Sequence, residues 1–119
     1  MRGTGTKCAK IILFKAGEDK AAEYSEYLRT SVEPIDRQAV KEGALQHMLT
    51  LVNDTDPSQS WTHLRIFLFD DAAQRAAVKG AFARIAPQLQ PDEALRKSRK
   101  AHGESLRTLV AELDVGVLG

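Results

Sequence analysis

Apolar and polar positions change rhythm several times along this chain, and each change marks an element. Residues 8–16, CAKIILFKA, are rich in large and β-branched apolar side chains and read as a strand that Gly17 ends. Glu18 and Asp19 place negative charge where a first helical turn favours it. Ala21, Tyr24, Leu28 and Val32 then recur at spacings of three and four, which predicts an amphipathic helix over about 18–32. Pro34 interrupts that pattern, and Glu33 before it is biased away from helical geometry. A second short helix over 34–42 is expected, with Pro34 in its first turn and Gly43 as its stop. Residues 44–53 return to a strand pattern, the polar run 54–60 is a turn, and SWTHLRIFLF at 60–69 is another strand, so the two form an antiparallel hairpin. Asp70 and Asp71 cap a helix running to about 86, with Val78, Ala81, Phe82 and Ile85 on its buried stripe. Pro87 and Pro91 punctuate; a further helix is expected over 92–111 and a last short edge strand over 113–118.

Strand, helix, strand, strand, helix, strand is the split βαβ order, which predicts an α+β ferredoxin-like fold. Its four-stranded antiparallel sheet has helices on one face. One domain over 8–119 follows, preceded by a flexible tail over 1–7 in which Gly3 and Gly5 stand before any apolar run.

The strand at 60–69 poses the central question, because both of its faces carry large apolar groups. Thr62, Leu64, Ile66 and Leu68 form the uniform set expected under the helices, matched on the first strand by Ala9, Ile11 and Leu13. Trp61, His63, Arg65, Phe67 and Phe69, with Cys8, Lys10, Ile12 and Phe14, then fall on the opposite face. In the second strand either alternating set can face the helices; choosing Gln46, Met48, Thr50 and Val52 places His47 in the opposite space. That opposite face holds more apolar area than a monomer leaves in water. The cheapest cover is the same face of a second copy, so a homodimer through the sheet faces is expected.

The 119 residues, 43% apolar and 28% charged, suit one core. A net charge of +1 gives no bulk reason to expect nucleic acid or membrane as partner, and no stretch approaches the roughly 18 apolar residues of a spanning helix. Cys8 is the single cysteine, which excludes an internal disulfide and is compatible with a reducing cytoplasm. The N-terminal MRGTGTKCAK has no leader-like apolar run.

The candidate chemistry sits on the same face as the aromatics. His63 is suited to general base work near neutral pH. Arg65 is suited to an anionic oxygen, and Trp61 to stacking on a flat ring. Lys10, His47 and Phe67 complete a pocket for a planar acidic ligand such as a phenol, quinone or enolised ketone. The competing reading makes Trp61 a seal and His63 and Arg65 register-fixing groups of a dimer interface without chemistry. RKSRK at 96–100 reads as a solvated helix face rather than a phosphate patch, since no aromatics interleave. Gly103, between His102 and Glu104, marks a kink or close packing, and Cys8 an inert buried thiol. Tyr24 is expected in the core and Tyr27 near an opening of the enclosed space. No glycine-rich phosphate loop, zinc-ligand pair or nucleophile elbow occurs, so no metal or cofactor is expected.

Element order, chain length and the two-faced strands resemble the dimeric α/β-barrel group over residues 8–118. The opening KIILFKAGEDKAAEYSEYLRTSVEP is similar to that of antibiotic-biosynthesis-monooxygenase-like chains, and stress-responsive barrel proteins belong to the same group. The resemblance implies a homodimer packed sheet on sheet with a cavity in each half. It implies either a cofactor-independent monooxygenase or isomerase acting on an aromatic or enolisable acid, or a non-catalytic binding or assembly protein. Cofactor-free monooxygenases of this fold use Trp, Asn or Tyr around an electron-rich substrate, a role Trp61 matches. Haem-degrading relatives carry an Asn on the first strand, where this chain has Lys10 instead.

Overall fold

The computed structural model describes residues 7–118, so most of the tail expected over 1–7 lies outside the described residues. The elements are β1 (Cys8–Ala16), α1 (Ala21–Tyr27), a π-helical segment (Leu28–Val32) and α2 (Glu33–Lys41). They continue with β2 (His47–Val52), β3 (His63–Phe69), α3 (Ala72–Leu89), α4 (Glu93–Ser105) and β4 (Arg107–Gly116). The strands pair antiparallel in the order β2-β3-β1-β4, and the helices cover one face. This is the α+β ferredoxin-like arrangement. The domain measures 48 × 38 × 17 Å, its short dimension holding one sheet and one helical layer.

Three elements depart from the pattern reading, each for a local reason. The helix does not break at Pro34. A proline ring crowds the carbonyl four residues back, and here the preceding turn widens instead, with the Glu33 N–H donating to the Leu28 carbonyl five residues earlier. Likewise α3 runs past Pro87, which sits in its last turn where one lost backbone bond is tolerated. The largest difference is at 107–111, which is strand and not helix. Leu106, Leu109, Val110 and Leu113 have helical spacing but share no face: Leu106 precedes the strand, and a bulge opposite Leu13 and Phe14 leaves Leu109 paired with Phe14 on the helix side and Leu113 paired with Ile11 on the open side. Gly43 does end α2: it takes a left-handed φ of 82°, its N–H donates to the Val40 carbonyl and that of Ala44 to the Ala39 carbonyl.

The faces of β1 and β3 are the reverse of those expected. His63, Arg65, Phe67 and Phe69 are buried under the molecule's own helices, level with Phe14, Ile12, Lys10 and Cys8 of β1. The bulky aromatic rings fill the space below the helices. Phe67 and Phe69 join Val78, Ile85, Ala39, Leu45 and Cys8 in one cluster, and Phe14 joins Tyr24, Leu28, Ala16 and Leu106 in a second. The second strand is oriented as chosen, with Met48, Thr50 and Val52 on the helix side and His47 on the other.

The uncovered face is therefore aliphatic, not aromatic. Leu49, Ile66, Ile11 and Leu113 align across all four strands, as do Leu51, Leu64, Leu13 and Ala111 in the next row. Leu49, Leu51 and Leu113 are 37%, 44% and 46% exposed.

Gly103 of α4 is packed against Tyr27 so closely that a Cβ there would lie 2.2 Å from the ring's Cζ, whereas a Cβ on Gly80 of α3 meets nothing. Gly103→Ala is expected to destabilise the fold by about 1–3 kcal/mol through overpacking. Gly80→Ala is expected to stabilise it by up to about 1 kcal/mol through helix propensity. Urea unfolding of the two variants measures both.

Candidate functional site

A cavity of about 650 Å³ opens between the helical run from Ser25 to Lys41 and the adjoining strands β2 and β3. It lies where the two apolar clusters part. Phe67 and Phe69 belong to one and Phe14, facing His63, to the other, so His63 and Arg65 form a polar seam between them. The widened π-helical turn lets Ser25 before it, Leu28 within it, and Glu33 and Asp36 after it border the same cavity.

His63 is fully buried. Its Nε2 lies 2.8 Å from Ser25 Oγ and its Nδ1 2.8 Å from Thr62 Oγ1. The Tyr24 ring meets the imidazole edge-on with centroids 4.8 Å apart. Burial holds the His63 pKa below the usual imidazole value, so the ring is neutral at pH 7.

Arg65 bonds the Asp36 carboxylate through Nη2, and its Nε donates to Thr50 Oγ1 at 3.4 Å. The guanidinium also lies over the Phe67 ring, 4.8 Å from its centroid. Asp36 is only 2% exposed. Burial pushes its pKa up to about 6, a larger effect than the downward pull of the Arg65 charge beside it. Around the rim stand Arg29, Arg37 and Lys41. Arg37 bonds Glu33 at 2.7 Å, and Arg29 bonds Glu26 at 3.1 Å. Four cationic side chains thus face the cavity against two carboxylates, Glu33 and Asp36.

Of the residues that the sequence marks as a pocket, His63 and Arg65 line this cavity, and His47 borders it from the edge strand β2. The other three lie elsewhere. Lys10 is near β4, bonded to Asp114 at 2.8 Å with Glu112 at 3.7 Å. Trp61 stands in the loop before β3, against a separate cleft of about 350 Å³ beside Asn53 and Pro57. Phe67 is core, with its ring 5.9 Å from that of Phe82. The convergence expected of six residues is thus limited to three, and the cavity lies within one subunit's helix and sheet layers, not between two sheets. The reading of His63 and Arg65 as register pins of a sheet-to-sheet seam loses its geometry, because both point under their own helices. Tyr24 is core as expected, while Tyr27 stacks on Tyr24 and packs over Gly103.

Ser25, Asp36, Thr50 and Thr62 escaped the sequence reading. Two of them left a trace: Asp36 interrupts the apolar stripe Val32, Ala39, Val40, and Ser25 falls between Ala21 and Leu28 on the buried side of α1. Among the described residues no group of three or more His, Cys, Asp or Glu side chains is arranged to hold a metal ion, and no helix is long and apolar enough to cross a membrane.

No protein-family model matches this sequence, and comparison with curated proteins gives no match. Solved structures do share its fold. A dimeric ferredoxin-like protein from an uncultured marine organism superposes with a TM-score of 0.65 at 9% identity, over 97% of this chain and 90% of that one. A putative antibiotic biosynthesis monooxygenase from Chloroflexus aurantiacus gives 0.55 at 10% identity, over 96% and 95%. A conserved Bacteroides thetaiotaomicron protein of unknown function, described as a possible oxidoreductase, gives 0.57 at 9% identity, over 94% and 98%. What this chain shares with them is the ferredoxin-like α+β fold.

Proposed function

We propose that the cavity over β3 binds a small planar anionic molecule, an aromatic or enolisable acid, and that the protein is a homodimeric, cofactor-independent enzyme of monooxygenase or isomerase type. The observation that carries this reading is a buried imidazole and a buried guanidinium side by side on one strand face, bordering one cavity. A cation excess favours an anion. A volume of about 650 Å³ falls in the range of small-molecule sites. A neutral imidazole is the form that accepts a proton, here through the Ser25 hydroxyl at its Nε2. The fold shared with a putative monooxygenase is consistent with that chemistry and supplies no more than analogy.

The homodimer rests on the aliphatic face. Burying each Leu or Ile side chain is worth about 1.5–3 kcal/mol, and seven of them, with Ala111, make two rows across the sheet. Neighbours of the same fold are described as dimeric. Ile66 lies at the centre of one row. Ile66→Asp is expected to convert a dimer into a folded monomer in sedimentation velocity at micromolar concentration. A wild-type monomer there would refute the dimer.

Salicylate, a planar aromatic acid, is the probe for the cavity. Arg65→Met is expected to weaken its binding about 10–100-fold, the cost of one charge-assisted pair. Asp36→Asn, which removes the carboxylate competing for the same guanidinium, is expected to tighten it. Titration calorimetry reads both, and equal affinities in all three proteins would sink the anion site.

Asp36 also sets a pH dependence of stability. Its folded pKa of about 6 lies above the unfolded 3.8, so its contribution is full below pH 3.8 and is lost as the pH rises through 6, by up to about 3 kcal/mol. His63, with its depressed pKa, acts with the opposite sign: its contribution is present above pH 6.5 and is lost as the pH falls through its folded value. The difference between wild type and Asp36→Asn in urea unfolding from pH 3.5 to 7 isolates the Asp36 part. That difference is expected to favour the variant increasingly toward pH 7.

A further inference from the structure

His63 borders the cavity but has no free ring nitrogen to offer a ligand. Its ring is fully buried, both nitrogens already have hydroxyl partners at 2.8 Å, and Tyr24 packs edge-on against it. Turning the imidazole toward the cavity would forfeit both hydrogen bonds and that packing. Ser25 is half-buried, borders the cavity and is hydrogen-bonded to the imidazole.

The remaining hydrogen bonds are compatible with one direction of proton flow. Thr62 Oγ1 accepts the Ala16 N–H at 2.8 Å and lies 3.4 Å from the Phe14 carbonyl, to which its own hydroxyl can donate. With its proton so directed, Thr62 accepts from His63 Nδ1–H. That tautomer leaves the Nε2 lone pair facing the Ser25 hydroxyl. We propose that Ser25 is the reactive group of this cavity, a hydroxyl that gives its proton to His63 Nε2 as its oxygen attacks an electrophilic carbonyl or phosphoryl centre. Thr62 is then a positioning residue that fixes the tautomer. Arg65, two residues along the same face of β3, borders the same cavity and offers positive charge to the group under attack. The assignment goes beyond the proton transfer proposed above and adds a nucleophile of a different reaction class, acyl or phosphoryl transfer.

Diisopropyl fluorophosphate tests it. The Ser25 oxygen forms the new O–P bond, the P–F bond breaks, the hydroxyl proton passes to His63 and fluoride leaves. Wild-type protein is expected to gain one diisopropylphosphoryl group, located on Ser25 by peptide mass spectrometry, and Ser25→Ala to gain none. His63→Gln is expected to label at least about 100-fold more slowly, the lower bound of general base assistance. Thr62→Val, which keeps the imidazole and removes its orienting partner, is expected to slow labelling as well and serves as the test if His63→Gln does not fold by circular dichroism. Labelling of Ser25 that is equally fast in the folded His63 and Thr62 variants overturns the assignment, as does a wild-type protein left unlabelled at Ser25. Salicylate titration separates the two readings. An unlabelled Ser25 with Arg65-dependent salicylate binding removes the nucleophile and keeps the anion cavity, whereas a labelled Ser25 without salicylate binding does the reverse.

Discussion

A buried guanidinium under a helical layer is the constraint around which this molecule is organised. Arg65 is almost wholly out of water, so the protein must supply what the solvent would have. It does so from three directions: the Asp36 carboxylate from α2, the Thr50 hydroxyl from β2 and the Phe67 ring from its own strand. Removing Asp36 alone strands the charge, while keeping Asp36 requires that α2 bring a carboxylate down onto the sheet. The position of α2, and with it one wall of the cavity, follows from that demand.

The same demand gives the π-helical segment a role. A helix broken at Pro34 would leave the chain after it free to leave the sheet. By widening one turn instead, the run from Ala21 to Lys41 stays continuous, and Ser25 and Asp36 reach the two polar side chains of β3 from one wall. The hydroxyl served by the imidazole and the carboxylate served by the guanidinium thus share one helical wall, although ten residues separate Ser25 from Asp36 in the chain.

Much of the fold was legible because length, punctuation and alternation agree. β1, the βα order and the Gly43 stop appear in the sequence as they stand in the molecule. What alternation does not carry is which side of a strand faces inward when both sides are apolar. In β3 the aliphatic set looked like the interior because it is uniform, and the set bearing His63 and Arg65 looked like an outward face because it is partly polar. Volume decided otherwise: Phe67, Phe69 and Phe14 fit the deep space beneath the helices, and the flatter Leu and Ile rows lie on the open side. The bulge in β4 hides a strand for a related reason, since one inserted residue breaks the alternation that would mark it. Half of the candidate pocket lies elsewhere for local reasons: Trp61 stands in a loop, Lys10 is held by Asp114 and Phe67 fills the core. The pocket's polar centre stays together, because His63 and Arg65 are neighbours on one strand whichever way the strand turns.

Inverting the faces leaves intact the idea that β3 is dry on both sides and changes what each side does. With aromatics outward, a second copy would have enclosed the chemistry, and the cavity would have depended on assembly. With aliphatics outward, the cavity is complete within one subunit, lined by Ser25, Asp36, His63 and Arg65 of the same chain. The open face then offers only shape and apolar area to a partner. Association through it would clamp β3 from behind, fixing the strand that carries the imidazole and the guanidinium without adding a side chain to either. Assembly through that face and chemistry in the cavity would then be separable, a substitution on one face of β3 reporting on one of them at a time.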